Sequence, residues 1–324
     1  MTDADADGTD SEDGTVDCDG LNHMNVGHQL LFENSELTFG LGFPLTGERQ
    51  STPPIDEELR LASHAEQLGF DALWVRDVPT YWPRFGDAGG AFDPWPLLGH
   101  LAAHTDEIAL GTSSVVLPLR HPLHVAKSAA TVDRLSGGRL VLGVASGDRD
   151  PEYQAFGVDP DKRGASFREA VSAIRSCWDE SYPSIVGEWG RLDGELDILP
   201  KPSTGSIPVL PTGNARQSRE WIADHGDGWL FYHLPENTLE SYIDTWRELA
   251  GNKPFVIAVR VALADDSNAG PEPLHLGFRA GIEWFHTYFD RLESYGLEHV
   301  IIGLESEDPE KEMKTFAESI LDGR

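Results

Sequence analysis

A glycine-led turn, Gly213-Asn214-Ala215-Arg216-Gln217-Ser218, stands between an apolar run ending at Pro211 and a segment with helical spacing through Ile222. Where a strand hands over to a helix, free backbone amides and the positive end of the helix dipole favour a phosphate. The plain alternative is an ordinary helix cap. Further candidates stand where other apolar runs end: Phe43, Asp77, Thr112 with Ser113, and Ser146 with Gly147 and Asp148, followed by Tyr153. Each also has a bland reading, Asp77 as a turn cap, Gly147 as a tight turn and Tyr153 as core. His121 and His124 are the proton-transfer candidates by ordinary pKa, although a histidine before Pro122 is also a natural cap. In so acidic a chain Arg120, Arg149, Arg163 and Arg168 stand out as partners for an anionic ligand or for surface carboxylates.

Strands with helices between them must position these residues. Leu37 to Leu45, Ala72 to Val75, Ile108 to Thr112 and Leu140 to Ala145 read as short buried strands, the third bounded by Ser113-Ser114. Between the last two, Pro122 opens a helix with Val125, Ala129, Val132 and Leu135 on one side, and Gly137-Gly138 stops it. This is a βαβ unit. Helices are also predicted from Asp56, around Trp95 to Ala102, and over Ser166 to Asp179, while Pro79 to Pro94 is a loop long enough to cover a site. Ser184 to Pro202 reads as a hairpin insertion. Ile207 to Pro211, Gly228 to Tyr232, Phe255 to Leu263 and His299 to Leu304 complete eight strand-helix pairs, which fit a single α/β domain, a (β/α)8 TIM barrel over 37–321. Ligands bind such barrels at the carboxyl ends of the strands.

The order LGTSSVVLPLRHP, RLSGGRLVLGVASGD, EYQAFGV and RGASFRE resembles the luciferase-like flavin monooxygenase superfamily, which also holds reductases using the deazaflavin F420. The resemblance runs from about Leu37 to Leu321. It implies that Gly213, Asn214, Ala215, Gln217 and Ser218 hold the cofactor phosphate, with alanine at 215 where the family often has serine. It also implies that Phe43, Asp77, Thr112, Ser113, Ser146, Gly147, Asp148 and Tyr153 line a flavin pocket. Two activities follow. With FMN reduced by a separate flavin reductase, the chain would be a monooxygenase of a small organic substrate using O2. With F420 it would be a reductase or dehydrogenase passing hydride without oxygen chemistry. A non-catalytic flavin-binding protein is the third possibility, and a homodimer is the family habit. Light-emitting members carry a histidine pair after the second strand; Val78-Pro79 stands there, which leaves no catalytic residue assigned beyond the candidate His121.

Other classes are disfavoured. No lysine stands at a strand end for Schiff-base chemistry, and no H-x-H or H-E-x-x-H pattern offers metal ligands. With 55 acidic against 25 basic residues the net charge is -30, which repels nucleic acid and anionic membranes. Such a charge suits a salt-rich cytosol, where counterions screen the self-repulsion; a surface that merely avoids acidic partners is the alternative. Residues 1–22 form an acidic tail whose composition cannot offset ordering entropy. Cys18 and Cys177 make no disulfide framework, and the absence of a signal-like start or a long apolar stretch points to the cytoplasm.

Overall fold

The computed structural model describes residues 24–34, 36–46, 52–85 and 91–322, so the acidic tail and the middle of the Pro79–Pro94 loop lie outside the described residues. Eight parallel strands close a barrel: β1 (Thr38–Gly42), β2 (Ala72–Val75), β3 (Ala109–Val116), β4 (Leu140–Ala145), β7 (Val209–Pro211), β8 (Trp229–Tyr232), β9 (Phe255–Leu263) and β12 (His299–Leu304). β5 (Ser184–Gly187) and β6 (Gly190–Asp193) pair as the antiparallel hairpin outside it. Closure comes where β8 pairs with β9 and where Thr212 bridges to Leu230 between β7 and β8. Helices α2 (Ile55–Gln67), α3 (Pro94–Ala102), α4 (Pro122–Leu135), α6 (Arg163–Asp179), α7 (Arg219–His225), α8 (Glu236–Ala250), α9 (Ile282–Ser294) and α10 (Pro309–Phe316) each follow one strand, with the short α5 (Asp150–Phe156) before α6. None of the described helices is long and apolar enough to cross a membrane.

Period-2 alternation sorts the strands into two cores. Phe39, Leu73, Leu110, Leu142, Phe231, Ile257, Val259 and Ile302 meet the helices. Trp74, Ala109, Val141, Leu210, Leu230, Val256 and Ile301 fill the barrel interior instead. Trp74 is the largest of the interior residues, and the strands on both sides of it carry glycine. A Cβ at Gly40 would stand 2.7 Å from the indole nitrogen, and one at Gly111 would fall inside contact distance of a ring carbon. Gly111→Ala should therefore destabilise the protein by about 2 kcal/mol, because the indole has no room to retreat. An unchanged urea midpoint would contradict this packing.

Three features depart from the sequence reading. A helix α1 (Val26–Phe32), without a strong sequence signal, seats across the amino end of the barrel. Its Leu31 enters the interior core, and the buried Asn25 donates to the Asp133 carboxylate and the Leu140 carbonyl. Beyond β9, an excursion β10 (Glu272–Leu274) and β11 (Gly277–Ala280) pairs onto the end of that long strand. Finally, β3 does not stop at Thr112: it runs through both serines with a bulge between Thr112 and Val115. Serine is tolerated there because a bulge leaves its residues outside the regular ladder.

Candidate active site at the carboxyl mouth of the barrel

Small side chains open the carboxyl end of the barrel into a cup. Gly42, Ala145, Ala258 and Gly303 occur on strand faces continuous with the interior core, yet all are half-buried rather than buried. Below them Trp74, Leu210, Leu230 and Ile301 are buried and form a dry floor. Tyr232 continues the interior face of β8 and is 45% exposed. Desolvation, then the Asp148 carboxylate, pushes its phenol above the ordinary value. On the adjacent strand Arg260 and, across Gly303, Glu305 add charged groups to the rim.

The bulge re-aims β3. Ser114, which the sequence reading passed over in favour of Ser113, meets the Thr212 hydroxyl inside the barrel, and Thr112 donates to the Gly143 carbonyl at 2.7 Å. Asp77 stands two residues past the end of β2, and its carboxylate accepts from the Val116 amide (3.1 Å) and twice from the Arg120 guanidinium (2.8 and 2.7 Å). Arg120 also pairs with Asp93. Desolvation works to lower the Arg120 pKa, but the bonds and charge of Asp77, then of Asp93, carry it above its ordinary value. Tyr153 is buried and donates to the Ser146 carbonyl. Its ring sits so close to Gly147, at φ +81°, that a side chain there would collide with the hydroxyl. Phe43, Asp77, Thr112 and Tyr153 are thus buried, and the polar groups of the last three are spent on protein partners, so they shape the wall from behind. Of the remaining strand-end candidates Asp148 is exposed, and Ser113 and Gly147 are half-buried.

The turn after β7 differs from the expected strand-to-helix junction. Its helix α7 starts only at Arg219, and Ser218 caps it by accepting from the Trp221 amide. Gln217 donates to the Gly164 and Ala215 carbonyls and accepts from Arg168, so it ties the turn to α6. What remains for an anion is the turn itself. The amides of Asn214, Ala215 and Arg216 have no main-chain acceptor among the described residues. Ala215 and Arg216 hold consecutive left-handed conformations, φ 44° and 59°, a strain that non-glycine residues rarely bear. Gly213, at φ 57°, packs on the Tyr232 ring: a Cβ would stand 3.2 Å from it. The turn therefore borders the cup, with amides that have no main-chain acceptor turned to its rim.

His121 does not join this constellation. Its Nδ1 accepts from the Leu123 amide as the cap of α4, and its ring stands edge-on to Trp189 of the hairpin. Among the described residues no three His, Cys, Asp or Glu side chains are grouped to hold a metal. Tyr232, Arg260, Glu305, Ser114 and Thr212 were not foreseen. Arg260 was the most findable, as the one ionisable residue in the apolar run FVIAVRVAL.

Residues 36–323 match the model of the luciferase-like monooxygenase family. The chain belongs to that family. An uncharacterised protein of Mycobacterium tuberculosis is 34% identical over 201 residues, 57% of this chain and 69% of that protein. The F420-dependent glucose-6-phosphate dehydrogenase of Beutenbergia cavernae is 40% identical over 169 residues, about half of each chain at 51% and 49%. Among solved structures, monooxygenase RslO1 from Streptomyces bottropensis superposes with a TM-score of 0.75 at 22% identity, over 89% of this chain and 99% of that one, which shows the shared barrel fold. The family member described here thus has α/β barrel relatives that include both monooxygenases and F420-dependent enzymes.

Proposed function

We propose that this family member is an oxidoreductase that holds a flavin-type cofactor with its phosphate on the Gly213–Gln217 turn and its ring system in the cup. The observation that carries the reading is the joining of two features at one place: the strained turn, whose amides have no main-chain acceptor among the described residues, and the cup walled by small residues and Tyr232. In this reading Ser113, Gly147 and Asp148 meet the ring edge, while Asp77, Thr112 and Tyr153 hold the wall. When bound, such a cofactor supplies two-electron chemistry, and the dry floor under the cup keeps bulk water from the reacting face.

Two forms of the reading stand. Reduced FMN with O2 acting on a small organic substrate agrees with the family's description as monooxygenases. F420-dependent hydride transfer agrees with the Beutenbergia dehydrogenase, the relative with the higher identity of the two named above. Turnover separates them. Oxygen uptake that needs reduced FMN, added chemically or by a flavin reductase, supports the first. Loss of the oxidised F420 absorbance on adding an alcohol supports the second. Tight cofactor binding with neither reaction, across a broad panel of substrates, points to a binding protein and overturns the enzyme reading.

A further inference from the structure

We propose that Arg260 selects the substrate by binding a carboxylate, and that Glu305 occupies the guanidinium in its place until the substrate arrives. The proposal rests on the oxidoreductase reading only for the word substrate; the ligand site itself stands on its own geometry.

Arg260 is on the inner face of the barrel by register. It pairs with Gly303 on β12, one residue pair of the same facing beyond Ala258 and Ile301, and Ile301 belongs to the interior core. Val259, Val261 and Ile302, the alternate set, face the helices. Because residue 303 is glycine, the arginine stem can lie across β12, its Cγ 3.6 Å from where a Cβ would be. That brings Nη1 to 2.5 Å from a Glu305 carboxylate oxygen.

This pair is poorly explained as a structural brace. Its side chains are 41% and 38% exposed, and ion pairs as open as this contribute about 0–1 kcal/mol. Replacing Glu305 by another carboxylate therefore costs little, and the guanidinium already shows that a carboxylate fits it from this side. Position fits the role as well. Tyr232 pairs in register with Ala258, two residues below Arg260 on the same face, so ring and guanidinium share one wall. The phosphate turn leaves β7, two strands further round, and does not compete for the same place.

The test is calorimetric titration of the cofactor-free full chain with benzoate and with its neutral isostere benzamide. Benzoate should bind at least tenfold tighter. Glu305→Gln, which frees the guanidinium, should tighten benzoate several-fold and leave benzamide unmoved. Arg260→Met should abolish the preference, and Arg260→Lys should restore part of it, with unchanged melting midpoints showing that the variants are folded. Equal affinities for the two probes, a preference that survives in Arg260→Met, or no benzoate binding even to Glu305→Gln would each overturn the proposal. The two readings fail separately. A chain that binds benzoate through Arg260 but neither FMN nor F420 refutes the oxidoreductase assignment alone, and one that binds a cofactor but no benzoate refutes this inference alone.

Discussion

Asp77→Ala should lower the stability of the folded chain by about 3 kcal/mol. The carboxylate is buried, with its side chain 1% exposed, and it gathers three donors: the Val116 amide at the end of β3 and two nitrogens of Arg120. Removing one partner of such a pair leaves the other charge uncompensated, which costs about 3–5 kcal/mol. Asp93 remains as a second acceptor for Arg120, so the lower end applies. Asp77→Asn keeps an oxygen for the Val116 amide and should lose less. Urea unfolding at high salt checks both, and a variant as stable as the parent would show that the clamp contributes nothing. Because Val116 closes the bulged segment that carries Ser114, weaker cofactor binding should accompany the loss.

Acid should unfold the protein through His299. The imidazole is completely buried at the amino end of β12. Its Nε2 accepts from the Trp74 indole at 2.9 Å, so the neutral ring carries its proton on Nδ1 and donates to Thr38 Oγ1 at 2.7 Å. A second proton would leave the indole N–H facing another donor. Burial accordingly pulls the pKa from the ordinary 6.5 down to about 3. Above pH 6.5 the ring is neutral both folded and unfolded, and its contribution is fully present. Between 6.5 and 3 only the unfolded chain takes up the proton, so stability falls with pH; below about 3 the loss is complete. At about 1.4 kcal/mol for each pH unit, the depression amounts to roughly 5 kcal/mol at most. His299→Gln should flatten the acid limb of a stability profile between pH 7 and 4. An identical acid limb in parent and variant would show that other groups drive acid unfolding.

The barrel was legible because its strands are fully buried runs, and such runs end abruptly at glycine, proline or a charge. Ala72–Val75, Pro122–Leu135 and Phe255–Leu263 fall where the pattern puts them. What sequence could not show is where polar side chains go once the barrel closes. Asp77 and Tyr153 were expected in the pocket on resemblance, but the partners that engage them, Arg120 and the Ser146 carbonyl, depend on how the chain folds back. The bulge in β3 has no propensity signal, yet it decides that Ser114 reaches Thr212. The turn after β7 stands where the sequence puts it, but not as the strand-to-helix junction expected there. Left-handed Ala215 and Arg216 shape it, and the helix begins only at Arg219.

This turn and this cup are expected to hold one cofactor together. Tryptophan fluorescence titration in high salt, with FMN against riboflavin and with F420 against its phosphate-free deazaflavin core, isolates the phosphate from the ring. One of the two phosphate-bearing cofactors should quench at concentrations at least tenfold lower than its phosphate-free form. Equal affinity with and without the phosphate, or no binding of any of the four, would contradict it.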